Sequence, residues 1–219
     1  MSLKHNVISL MCAVLVMPVA AHDIKSIWKT VPDSVVLALD KVRRLEMLDL
    51  VDYNVKAEVN NRFGSTSVMD TITSSYLHIT MGKSSELSVR LLPTADGDTL
   101  ICLLATFKAP EAESTINFYT PEWQCLEASR YLPFAKLSDV ADSLICRPDT
   151  MSAELYSQLC SQIVVPLVSA SSSVESPDLE LVLSLPMLPV DERGKVEALL
   201  VRRKLVWTGR QYEFSVINY

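Results

Sequence analysis

The sequence is poor in the residues that build catalytic and metal sites. It has three histidines and five glycines in 219 residues. A histidine-based triad or zinc site needs more imidazoles than His22 and His78, the two beyond the opening stretch. Five scattered glycines cannot form the loops that cradle phosphate, and no Walker or dinucleotide-binding pattern occurs. G-x-S-x-G and H-E-x-x-H are absent. Ser26-Ile27-Trp28-Lys29 matches the S-x-x-K of penicillin-binding enzymes, but no K-T-G follows, so it reads as a chance match on a short helix. No two cysteines form a C-x-x-C, which removes a redox or zinc-knuckle reading. The inventory predicts no catalytic residue, no metal and no cofactor.

Excess positive charge is also missing. The chain carries 26 acidic and 20 basic residues, a net charge of −6, with no basic stripe. That balance argues against nucleic acid or an anionic membrane as partner. Beyond the first residues no apolar run is long enough to span a bilayer, so no membrane span is expected there. Hydrophobic residues make up 49% of the chain, enough for a packed core.

The opening stretch is different. Lys4 precedes an apolar run from Val7 to Val19, broken by Pro18, and Val19-Ala20-Ala21 places small residues where a signal peptidase cuts. Residues 1–21 therefore read as a signal peptide, which places the remainder in the periplasm or at the cell surface. Met11 before Cys12 is too large for a lipoprotein signal. The mature part, 22–219, is expected to be a single α+β domain, with possible sub-halves 22–130 and 131–219. An exported compartment permits disulfides between Cys102, Cys125, Cys146 and Cys160. Cys102 lies in an apolar run and reads as a small buried residue. Cys146 and Cys160, on neighbouring helical segments, are the candidate disulfide, while all three connectivities remain open.

The periodicity predicts antiparallel sheet with packed helices. Asp33 is placed to cap a helix of about five turns starting at Ser34, with Val35, Val36, Leu39, Val42, Leu45, Leu48 and Val51 as its apolar stripe. From Ser67 the period becomes two. Leu77, Ile79 and Met81 alternate, as do Leu87, Val89 and Leu91 across a short turn. Leu100 to Phe107 is apolar on both faces and reads as a central strand, followed by Thr115 to Thr120. The expected result is a meander of roughly five strands. Leu137–Cys146 and Ser152–Val165 return to helical spacing. Ser169 to Ser173 reads as a polar connection. Leu179 to Leu185 then alternates as a strand, and Gly209-Arg210 joins two more in a hairpin, Val201–Thr208 and Gln211–Val216.

Several segments carry a family resemblance. They are Pro32-Asp33-Ser34, Arg44-Leu45, Lys56 to Gly64 with its Asn60-Asn61-Arg62-Phe63-Gly64 turn, Tyr76-Leu77, Leu91-Leu92-Pro93, Phe118-Tyr119-Thr120-Pro121-Glu122-Trp123 and Trp207-Thr208-Gly209. In this order they resemble an uncharacterised, domain-of-unknown-function family of exported proteins from Bacteroidetes (Bacteroidales). The resemblance implies export and a shared fold, and no activity. Ser65 stands where a second glycine would suit the family pattern.

Two features remain as candidate sites. Phe118, Tyr119 and Trp123, with Tyr131 and Phe134 beyond, stand near Pro121 and Pro133. Aromatics more often close a core than face solvent. If exposed, Tyr119, Trp123 and Tyr131 are the candidate binding surface for a sugar ring or peptide. Five Asp-(Ser/Thr)-aliphatic triplets begin at Asp33, Asp70, Asp98, Asp142 and Asp149. They resemble an O-glycosylation signal of exported Bacteroidetes proteins and make Ser34, Thr71, Thr99, Ser143 and Thr150 candidate glycan acceptors. Helix capping and turn chemistry favour the same pairs. The reading that follows is a non-catalytic exported binding or assembly protein with an unknown protein or glycan partner. The alternative is a hydrolase of glycan or cell-wall substrates acting through a carboxylate pair.

Overall fold

The computed structural model describes residues 22–188 and 190–215. The expected signal peptide, 1–21, lies outside the described residues, as does Val216 at the end of the last expected strand. The fold is α+β. Two helices, α1 (Ile24–Thr30) and α2 (Lys41–Asp52), precede seven strands. The strands are β1 (Glu58–Asn60), β2 (Thr66–Ile72), β3 (Tyr76–Gly82), β4 (Ser85–Pro93), β5 (Thr99–Phe107), β6 (Glu113–Tyr119) and β7 (Cys125–Leu126). They form one antiparallel meander in chain order, two strands longer than the alternation alone predicts. Two 3-10 segments, Ala128–Arg130 and Leu137–Leu144, lead to α3 (Ala153–Cys160), β8 (Leu167–Ser172), β9 (Leu179–Ser184), α4 (Val190–Glu197), β10 (Arg203–Trp207) and β11 (Tyr212–Phe214). These last strands make a second antiparallel sheet in the order β11-β10-β9-β8.

The large sheet is buried on both faces along β4 and β5, as the apolar run 100–107 predicts. Leu77, Ile79, Leu87, Val89, Leu91, Ile101 and Leu103 pack in one core with Ile24, Ile27 and Trp28 of α1 and Met47 and Leu48 of α2. The opposite face sends Cys102, Leu104, Ile116 and Phe118 into a second core with Val168, Ala170, Leu179, Leu181, Leu183 and Leu205. Each fully buried Val, Leu, Ile, Phe or Met among them contributes roughly 1.5–3 kcal/mol. The second core draws on residues from both proposed sub-halves. Gly209 turns the β10–β11 hairpin at φ +85°, a left-handed conformation open to glycine.

Sequence expectations fail in two stretches for physical reasons. The long helix from Ser34 does not form: residues 34–39 are turns and Asp40, not Asp33, caps α2 by accepting from the Arg43 N–H at 3.0 Å. The buried face of α2 is Arg44, Met47 and Leu48, while Val42 is 72% exposed. Arg44, which is not part of the expected apolar stripe, is buried because three acceptors surround it.

Ser169 to Ser173 is no connection; most of it is strand β8. Its small side chains let its backbone approach the large sheet. Ala170 N–H donates to Ser114 Oγ at 3.0 Å, and Ser114 Oγ shares a 2.8 Å hydrogen bond with Thr106. Arg90, stacked 4.3 Å above the Tyr76 ring, donates to the carbonyls of Ser173 and Val174. Polar side chains of one sheet thus occupy backbone groups at the border of the other, and the segment expected as a polar connection is a strand instead.

Candidate functional site

The helices cover the sheet face incompletely. At the end where β3 turns into β4, the apolar face continues past them and opens into a cleft of about 1010 Å³. Its floor is Met81, Leu87, Ala105 and Phe107, from β3, β4 and β5. Its walls are residues 35–38, the β1–β2 loop and the β3–β4 turn. Leu37 is 60% exposed, Phe63 71% and Phe107 57%. Large apolar groups converging in one concavity are the usual composition of a ligand site.

Each wall is held by specific bonds. Arg44, 2% exposed, donates from Nη1 to Asp33 Oδ1 at 2.8 Å and to Leu39 O at 2.5 Å, and from Nη2 to Val31 O at 2.6 Å. This ties both ends of the 31–40 loop to α2. The buried Asn61 organises the second wall. Its Oδ1 accepts from Phe63 N–H at 2.9 Å and Ser65 N–H at 3.1 Å, and its Nδ2 donates to Met81 O at 2.8 Å. Gly64 completes that turn at φ +77°. Arg62 N–H donates to Ala38 O at 2.9 Å, joining the two walls. The Asn60 to Gly64 turn therefore presents Phe63 at the cleft.

Charge at the cleft is sparse. Lys83 and Glu86 are the charged residues among the described lining. Glu86 is already engaged, paired with Lys108 and lying 3.8 Å from His78 Nε2. His78 Nδ1 in turn lies 3.2 Å from Asp70. Lys83, exposed at the tip of the turn, has no ion pair among the described residues. Among those residues no group of three His, Cys, Asp or Glu side chains is placed to hold a metal, and no helix is long and apolar enough to cross a membrane.

The aromatic candidates do not form one surface. Trp123 is buried among the α1-side residues and donates Nε1–H to Ile27 O at 3.2 Å. Tyr119 is half-buried beside it, with ring centroids 5.4 Å apart. Tyr131 sits on the other side of the sheet, stacked on Phe118 at 4.9 Å. The common fate of aromatics prevails because the β6 end closes both cores. Of the glycan candidates, Ser34 and Thr150 are exposed, while Thr71, Thr99 and Ser143 are half-buried, and Ser143 Oγ donates to Val140 O at 2.7 Å.

The four cysteines among the described residues, Cys102, Cys125, Cys146 and Cys160, are free thiols in this structure. Cys102 is buried, and burial pushes its thiol up to about 12, which leaves it unreactive. Cys146 and Cys160 are half-buried, and the phenol of Tyr156 is raised by a hydrogen bond with Cys160. The cleft residues Leu37, Phe63, Lys83 and Phe107 escaped the sequence reading. Phe63 sat inside a turn motif, Leu37 inside an expected helix and Phe107 at the end of a strand read as wholly central. No local pattern marks residues that meet only when three loops converge.

Comparison with known proteins places the chain within a family. The family model described as "Protein of unknown function (DUF3256)" matches residues 16–214. A solved domain of an uncharacterized protein from Porphyromonas gingivalis W83 is similar in structure, with a TM-score of 0.72 and 21% sequence identity. The alignment covers 89% of this chain and 100% of that one, and at that identity the likeness is one of fold. No curated protein matches. With the match running over nearly the whole sequence, the chain belongs to the DUF3256 family of proteins of unknown function.

Proposed function

We propose that this is a non-catalytic, exported binding protein of the periplasm or cell surface, and that the cleft is its ligand site. The observation that carries this reading is the convergence of Leu37, Phe63 and Phe107, all exposed, on one concavity of about 1010 Å³. Isolated exposed apolar residues need no explanation, but a concave cluster does. Hydrolysis by a carboxylate pair would need two facing acids. Glu86 is the single acid among the described lining residues, and Lys108 already holds it.

The neutral apolar fluorophore N-phenyl-1-naphthylamine tests the site. Wild-type protein should enhance its emission saturably. The double variant Leu37→Asp, Phe107→Asp alters exposed positions and should leave folding intact. Loss of two apolar contacts should weaken the probe about tenfold or more. Unsaturable enhancement, or equal affinity in the variant, would end the cleft reading.

Export, glycosylation and the Cys146–Cys160 disulfide belong to the same proposal. The export reading rests on the charged start, apolar run and small-residue site within 1–21. Intact mass of protein isolated from its native cell reads all three features together. The expected species begins at His22, has lost two hydrogens to one disulfide, and carries added hexose-type mass at Ser34 or Thr150, the two exposed acceptors. A mass equal to the bare 22–219 chain with four thiols would remove the glycan and the disulfide. Retained Met1 would remove export.

A further inference from the structure

We propose that the cleft binds a single-chain amphiphile with an anionic head, of the long-chain carboxylate class. This rests on the cleft being a ligand site and goes further, to the chemistry of its ligand. The floor and walls are apolar from Val36 and Leu87 outward to Met81, Ala105 and Phe107, which suits a hydrocarbon chain. The β3–β4 turn and the facing loop add polar groups to the lining, Lys83, Ser84, Ser85, Ser65 and Thr66, with Ser65 lying against Gly82 of the turn. Lys83 is the cation there without an ion pair among the described residues. Glu86, which would repel an anion, is neutralised by Lys108 and flanked by His78. An acyl chain lying on the floor would bring its carboxylate to the ammonium and hydroxyl groups, where charge-assisted hydrogen bonds form. The arrangement disfavours a cationic head, although the net charge of −6 favours cations at long range. A local preference for an anion against that field would therefore come from the turn itself.

The test is displacement of N-phenyl-1-naphthylamine at 0.15 M salt, which screens the long-range field. Dodecanoate should displace the probe at lower concentration than dodecyltrimethylammonium, whose tail is the same. Shortening the chain from dodecanoate to decanoate should weaken binding about fourfold per methylene removed. Lys83→Gln should weaken dodecanoate about three- to tenfold relative to the neutral fluorophore, whose own affinity for the variant is measured as the reference. Lys83→Glu should reverse the head-group order. Lys83 is exposed, so both variants should fold, and the wild-type head-group comparison decides even if they do not. If the fluorophore binds but the two heads compete equally, the anionic assignment is wrong while the ligand site stands. If monomeric dodecanoate fails to compete and phosphatidylglycerol vesicles bind the protein instead, a membrane surface replaces the proposed ligand. If the fluorophore itself does not bind, the ligand site falls too.

Discussion

Arg44→Met should lower the stability of the folded chain by about 2–4 kcal/mol, read as a shift of the urea midpoint with unchanged slope. The guanidinium is buried and donates to Val31 O at 2.6 Å and Leu39 O at 2.5 Å. Val31 and Leu39 are themselves buried, so water cannot readily replace the lost donor. Each orphaned carbonyl costs roughly 1–3 kcal/mol. Part is recovered because methionine needs no desolvation of a charge. The ion pair with Asp33 contributes little to the total, since Asp33 is half exposed and rehydrates. Against a typical stability of about 5–15 kcal/mol the loss is large. Arg44→Lys should recover only a fraction, because a point charge cannot span acceptors on opposite sides of a planar fork. The same variant should weaken the fluorophore in the cleft, since Arg44 anchors the loop carrying Val35 to Ala38. An unchanged midpoint would mean that the loop reaches its conformation without the arginine.

The second large effect is expected at Phe118, where alanine should cost about 3–5 kcal/mol. Phe118 is fully buried and packs between Tyr131, at 4.9 Å, and Tyr212, at 6.3 Å. It lies in the core shared by the two sheets, so its loss leaves a void between them rather than at one surface. Tyr212 cannot turn into that void at no cost, because its hydroxyl donates to Pro177 O at 2.7 Å. Phe118→Leu should restore most of the stability. Tyr119→Ala, one residue along and half-buried on the other face, should cost much less. Equal losses at 118 and 119 would show that the second core is not continuous across the sheets. Chemical denaturation of the three variants settles the ranking.

The alternating strands were legible because the information is local. Leu77, Ile79, Leu87, Val89 and Leu91 repeat every second residue, and all five are buried. Leu179, Leu181 and Leu183 follow the same rule. The tight turn at Gly209 was legible for the same reason. The start of α2 was not. A stripe beginning at Val35 continues into the helix in sequence, and only the acceptors around Arg44 reveal why the chain turns until Asp40. Strand β8 was not legible because it lacks apolar alternation, and the groups that dock it on the large sheet, Ser114, Tyr76 and Arg90, lie far away in sequence, although its ladder partner β9 is near. The aromatic run near Trp123 was noticed, but composition cannot say which side of a sheet each ring takes.

The amino-acid sequence alone determined the α+β class, the paired strands of the meander and the scarcity of groups for catalysis. Those properties follow from side-chain period and residue identity, which neighbours in the chain decide. Tertiary structure decided that Asp40 caps α2, that a serine-rich segment becomes a sheet edge, and that Leu37, Phe63, Lys83 and Phe107 border one cleft. Each of these depends on groups brought together from distant positions, whose contact energies appear only when the chain closes on itself.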